Sequence, residues 1–110
     1  MDKTQAIAAL SALSQPTRLD VFRLLVKAGD AGMLSGEIGA ALDVRPNTMS
    51  ANLSVLLGAG LVRNTRQGRS IRYHADMEGM RSLLAFLMQD CCGGRPELCQ
   101  NVMAEITCAP

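Results

Sequence analysis

Apolar positions recur with two different periods in the middle of the chain. Met49, Leu53, Leu56 and Leu57 fall at i, i+4, i+7 and i+8, which puts them on one side of an α-helix. At about 100° per residue, Asn47, Ser50, Ala51 and Ser54 face the other way. Those outward residues are small and several carry hydrogen-bonding groups, where a solvated helix more often shows Lys, Glu and Gln. Gly58 and Gly60 end the helical pattern. Leu61 and Val62 then open an extended run, Gln67-Gly68-Arg69 makes a polar tip, and Ser70 to His74 is a second β-prone run. Two short strands about a glycine-containing turn predict a hairpin.

The flanks are helical. Residues 4–13 are rich in alanine and leucine, with Ile7, Leu10 and Leu13 along one side. A helix this short needs something to pack on, in its own chain or in a second copy. Ser14-Gln15-Pro16 starts the next helix, with proline in the first turn. That helix runs to Gly29, and Leu19, Phe22 and Val26 mark its inner face, widened by Val21 and Leu25. Ser35 is expected to cap a helix over SGEIGAAL, with Glu37 in its first turn. Asp43-Val44-Arg45 makes the tight turn into the Pro46 helix, so the pair forms a helix-turn-helix. After the hairpin, Met77 to Asp90 is amphipathic, with Met80, Leu83, Leu84, Leu87 and Met88 on one stripe. The stripe fits a dimer seam or an intrachain core.

Charge sharpens this picture. Residues 45–74 hold five arginines (Arg45, Arg63, Arg66, Arg69, Arg72) and no carboxylate, leaving six basic against ten acidic residues elsewhere. A basic segment on a chain of net charge +1 is a directional electrostatic footprint. A helix entering a DNA major groove needs slim side chains and no carboxylate to repel phosphate. The bland alternative is a solvated helix and hairpin whose arginines serve solubility. At 110 residues with only three aromatics, Phe22, Tyr73 and Phe86, the chain suits one domain with a modest aliphatic core. No apolar run approaches the ~20 residues of a membrane span. The N-terminus lacks the pattern of a signal peptide, so a cytoplasmic protein with reduced cysteines is expected.

Two runs carry a family resemblance. LSALSQPTRLDVFRLLVKAG, with its Leu-x-x-Pro-Thr-Arg-Leu motif, resembles the second-helix region of ArsR/SmtB-type repressors, and MSANLSVLLGAGLVRNTRQGRSIRYH is similar to their recognition helix and wing. The resemblance covers residues 5–90. It implies a mainly α winged helix-turn-helix with a small β-hairpin, a homodimer on double-stranded operator DNA, and release when a metal or metalloid ion binds. The residues expected to meet DNA are Asn47, Thr48, Ser50, Ala51, Asn52 and Ser54, flanked by Arg45, Arg63, Arg66, Arg69 and Arg72. Arg66 and Arg69 are the expected wing contacts. The dimer interface is expected at Ile7, Leu10, Met80, Leu83, Leu84 and Leu87, so residues 1–90 would serve DNA binding and dimerisation.

Residues 91–110 contain all four cysteines: Cys91, Cys92, Cys99 and Cys108. Gly93 and Gly94 allow a reversal, and Pro96 can start a helix that carries Cys99 back over the adjacent pair. Grouped thiolates select soft ions. Zinc normally wants four ligands, whereas three sulfurs suit a pyramidal ion, As(III) or Sb(III), leaving Cys108 as an auxiliary ligand. The tail also resembles arsenic-responsive members of the family with cysteines beyond the dimerisation helix. Their familiar Cys-x-Cys pair at the start of the recognition helix is missing, since residues 45–54 contain no cysteine. A thiol redox switch or a zinc or other soft-metal sensor remains open, as does simple burial of the cysteines. An enzyme is not expected: no Cys-x-x-Cys within a βαβ pattern surrounds these thiols, and the lone histidine, His74, lies on the wing.

Overall fold

The computed structural model describes residues 1–89 and 96–106. Helices α1 (Lys3–Leu13), α2 (Pro16–Ala28), α3 (Ser35–Leu42) and α4 (Pro46–Gly58) precede the hairpin strands β2 (Val62–Gln67) and β3 (Ser70–Ala75). Helices α5 (Met77–Leu87) and α6 (Pro96–Ala104) follow them. A two-residue strand, β1 (Met33–Leu34), pairs antiparallel with β3, giving a three-stranded sheet in the order β1-β3-β2. The sequence reading missed β1, because two residues after a 3-10 turn carry no alternating pattern.

Local chemistry sets the helix ends. Asp2 and Gln5 exchange side-chain-to-backbone bonds at 2.8 Å, a capping box that starts α1. Gln15 caps α2 by accepting from the Arg18 N–H at 2.8 Å. Ser35 is not the cap of α3. It is the first helical residue, Leu34 holds the cap position, and the Glu37 carboxylate reaches back to the Leu34 N–H at 2.8 Å. Asp43, in the left-handed conformation at φ 54°, turns the chain from α3 into α4.

The core lies where α1, α2 and α4 meet the sheet, and Val21, Leu25, Ile38, Met49, Leu53, Leu56 and Leu61 are fully buried. On α4 the apolar stripe falls inward as the spacing predicts. On α2 the buried arc is Val21, Phe22 and Leu25, while Leu19 and Val26 are exposed. These two lie roughly 100° round the helix from the middle of that arc, so the inner face is rotated from the one expected. The amphipathic stripe of α5 is divided. Leu83 is buried at 2% exposure and Met80 packs on the core, whereas Leu84 and Leu87 are 46% and 48% exposed. Leu83 therefore belongs to the intrachain core and not to the seam assigned to it from sequence, whereas Met80 is half-buried at the edge of that core. The helix also stops at Leu87, short of the expected Asp90.

Gly32 joins the 3-10 turn to β1 at φ 61°, and a Cβ there would sit 2.5 Å from the Tyr73 carbonyl and 2.6 Å from Nδ1 of His74. Both the backbone conformation and the space require glycine. Gly32→Ala is expected to destabilise the fold by about 2–4 kcal/mol, lowering the thermal midpoint by roughly 10 °C or more. An unchanged midpoint in a calorimetric scan would show that β3 yields easily at this point.

Candidate nucleic-acid interface

Helix α4 and the hairpin share one concave surface. A cleft of about 610 Å³ between α3 and α4 is lined by residues including Gly39, Asp43, Arg45, Pro46 and Ser50. A second of about 550 Å³ lies between α3, α4 and the hairpin, lined by residues including Glu37, Ser50, Arg69, Ser70 and Ile71. Ser35, Gly36 and Ser50 border both, so the two clefts adjoin across the α3 N-terminus. The surface runs from Arg45 at the start of α4, past Ser50, to Arg69 at the tip of the hairpin. The tip is a two-residue turn closed by the Gln67–Ser70 pair, with Gly68 at φ 64°. Glycine at the first central position suits such a turn.

Most of the sequence-predicted contacts lie on exposed surface. Asn47, Thr48, Ser50, Ala51 and Ser54 are exposed along α4, and Arg45, Arg66 and Arg69 are exposed around it. Two are turned inward, and a third, Arg63, is exposed but stands away from the tip. Asn52 is turned inward at 8% exposure and accepts a bond from Nη1 of Arg18 at 3.3 Å. It lies about 60° from Met49 round the helix, on the edge of the buried arc, so its amide faces α2. Arg72 is half-buried. Its Nη1 donates to the Ala31 carbonyl at 3.1 Å and its Nε to Oε1 of Gln67 at 3.1 Å, which makes it a tie between β3 and the 3-10 turn. Arg63 pairs with His74 at the foot of the hairpin and borders a hollow shared with Asp30, Asp76 and Glu78. At ~3.3 Å per residue it stands roughly 13 Å from Gln67.

His74 is also inward. It is 7% exposed, its Nε2 lies 3.4 Å from the Thr65 hydroxyl, and its Nδ1 has no hydrogen-bond partner among the described residues. The residue that sequence reasoning missed is Arg18. It stands inside the quoted Pro-Thr-Arg-Leu motif, but nothing in the spacing shows where its guanidinium goes.

The helix-turn-helix domain family matches residues 13–65. A protein of Halobacterium salinarum described as an arsenical resistance operon repressor, ArsR, is 35% identical over 79 residues, 72% of this chain and 60% of that protein. The HTH-type transcriptional regulator CmtR of Mycobacterium bovis is 39% identical over 72 residues, 64% of this chain and 58% of its own length. This chain thus spans less than two thirds of either relative. An ArsR-like transcriptional regulator from Rhodococcus sp. RHA1 superposes with a TM-score of 0.71 at 22% identity, covering 96% of each chain. Over these spans the chain is similar to regulators of the ArsR/SmtB family.

The similar proteins named here are described as transcriptional regulators. A second solved structure of this fold is the homodimeric winged helix-turn-helix DNA-binding domain Mb0332 of Mycobacterium bovis. It matches with a TM-score of 0.65 at 22% identity, covering 97% of this chain and 89% of that one. In the chain described here, α1 packs against α2, α4 and α5 through Ala6, Ala9 and Ala12, leaving Ile7 and Leu10 exposed. Leu84 and Leu87 on α5, the helix that α1 contacts, are exposed as well.

Cys91, Cys92 and Cys108 lie outside the described residues, and Cys99 is described only by its backbone, in the helix expected from Pro96. Among the described residues no group of three or more His, Cys, Asp or Glu could hold a metal ion, and no helix is long and apolar enough to cross a membrane.

Proposed function

We propose that this protein is a homodimeric, cytoplasmic transcriptional repressor that leaves its operator DNA when As(III) or Sb(III) binds Cys91, Cys92 and Cys99. The observation that carries the DNA half is the single concave surface on which Ser50 of α4 and Arg69 of the hairpin meet. Asn47, Thr48, Ser50, Ala51 and Ser54 address the major groove, and Arg45, Arg66 and Arg69 address phosphate or the minor groove beside it. Asn52 and Arg72 are left out of this set because their side chains bond Arg18, Ala31 and Gln67, and Arg63 because it stands at the foot of the hairpin. The seam is Ile7, Leu10, Leu84 and Leu87, and two-fold symmetry lets two wings read two half-sites.

The sensing half rests on donor chemistry. Residues 91–99 offer three thiolates close in sequence, which satisfy a trivalent metalloid, whereas zinc would need a fourth ligand or a water. One relative described as an arsenical resistance operon repressor supports the same ligand. Ion binding in the 91–110 tail, directly after the seam helix, shifts the geometry between subunits and weakens DNA binding.

Fluorescence anisotropy in reducing buffer, with a labelled duplex carrying the sequence upstream of the coding region, tests both halves. Arsenite and antimonite are expected to release the duplex at much lower concentration than zinc. Release by zinc first, or by peroxide alone, would transfer the ligand assignment to a zinc or redox sensor. No binding to the duplex at all would remove the repressor reading.

A further inference from the structure

Arg18 joins the helix that carries part of the proposed seam to the helix that reads DNA. Its Nε donates to the Ala12 carbonyl at 2.7 Å and its Nη1 to Oδ1 of Asn52 at 3.3 Å. Ala12 is the next-to-last residue of α1, so its carbonyl is among the four at that end without an intrahelical partner. A guanidinium there also complements the negative end of the helix dipole. Asn52 follows Ala51 and lies one turn beyond Thr48, both on the exposed face of α4. Arg18 itself starts from the first turn of α2, where its own N–H is held by Gln15.

The rest of α4 is seated by Met49, Leu53 and Leu56. Apolar packing fixes how far a helix stands from its neighbours, but it is non-directional and sets rotation and slide only loosely. Among the described residues, the Arg18 bond is the one side-chain hydrogen bond that α4 makes to another element. The planar fork of arginine holds two partners in a fixed relation. Here they are a backbone atom of α1 and a side chain of α4. The opposite face of α1 carries Ile7 and Leu10, exposed at 57% and 44%.

We propose that Arg18 and Asn52 are positioning residues that fix α4 relative to the dimer axis, and so set which half-site spacing the protein accepts. Neither touches DNA. This inference rests on the dimeric DNA-binding reading above. It adds that the register between the two reading helices depends on one half-buried polar tie per subunit.

The test uses the full-length protein and a duplex it selects from a random library, together with versions carrying one base pair inserted or removed at the centre. The wild type is expected to lose about tenfold or more in affinity on either change, on the scale of one mismatched base pair. Arg18→Gln and Asn52→Ala are expected to lose less than about threefold, while their salt dependence, dimer mass and thermal midpoint stay close to wild type. A merely structural role would lower affinity for every spacing in proportion and leave the preference intact, and that outcome overturns the proposal. Arg18→Gln removes both bonds; should it not fold, Asn52→Ala, which spares the Ala12 bond, decides alone. Failure of the wild type to bind any duplex would remove the DNA-binding reading and this inference with it. A wild type with a sharp spacing preference, matched by both variants, would remove this inference only.

Discussion

Replacing Leu87 by aspartate is expected to give monomers that remain helical and bind operator DNA far more weakly. Leu87 is 48% exposed in the single chain, and Leu84, Ile7 and Leu10 are exposed too, so a carboxylate there does no harm until a second copy covers it. In the covered seam it becomes a buried, unpaired charge that disfavours association by several kcal/mol. Sedimentation and circular dichroism together read the result. The control is Leu83→Asp. Leu83 is 2% exposed, so this change is expected to unfold the chain itself. A Leu87→Asp protein that sediments as a dimer would move the seam elsewhere.

A second large effect is expected at the cysteines. Cys91→Ser, Cys92→Ser and Cys99→Ser each keep the size of the side chain but lose the soft donor. Each is expected to bind operator as the wild type does and to stay bound when arsenite is added. In the wild type a coupling of ~1–3 kcal/mol, typical of two-site linkage, corresponds to a drop in DNA affinity of about 5- to 150-fold. Cys108→Ser is expected to leave that drop unchanged. Because ion binding displaces thiol protons, arsenite affinity should strengthen as pH rises toward the ordinary thiol pKa of ~8.5. Loss of DNA binding by any of the three variants would make that cysteine structural.

The fold was legible wherever a period ran long enough to mark a face. Met49, Leu53 and Leu56 fall inward on α4 as spaced, and the hairpin turns at Gly68 as its glycine and flanking strands suggest. Strand β1 was not legible, because its two residues are recruited by β3 and have no pattern of their own. The inner face of α2 was misplaced because Leu19 and Val26 are as apolar as Val21 and Leu25, and only the packing partner chooses between the arcs. Among the candidate contacts, composition cannot tell an arginine that reaches solvent from one that ties carbonyls. Arg69 and Arg72 are three residues apart in sequence, yet one lines the open surface and the other bonds Ala31. Asn52 looked like a reader by chemistry and proved to be an anchor by its angle on the helix.

The most direct test of the central claim, that α4 and the hairpin form a DNA interface, is the salt dependence of operator affinity. Each phosphate neutralised by an arginine adds ~0.9 to the slope of log affinity against log salt, and a dimer presents every arginine twice. The wild type is expected to show a steep slope. Arg66→Ala together with Arg69→Ala should lower it by about one unit for each arginine–phosphate pair that the substitutions remove. Arg72→Ala should leave the slope as it is and reduce thermal stability instead, since its guanidinium is bonded to Ala31 and Gln67. An unchanged slope in the Arg66 and Arg69 double variant, or a drop produced by Arg72→Ala alone, would contradict the account.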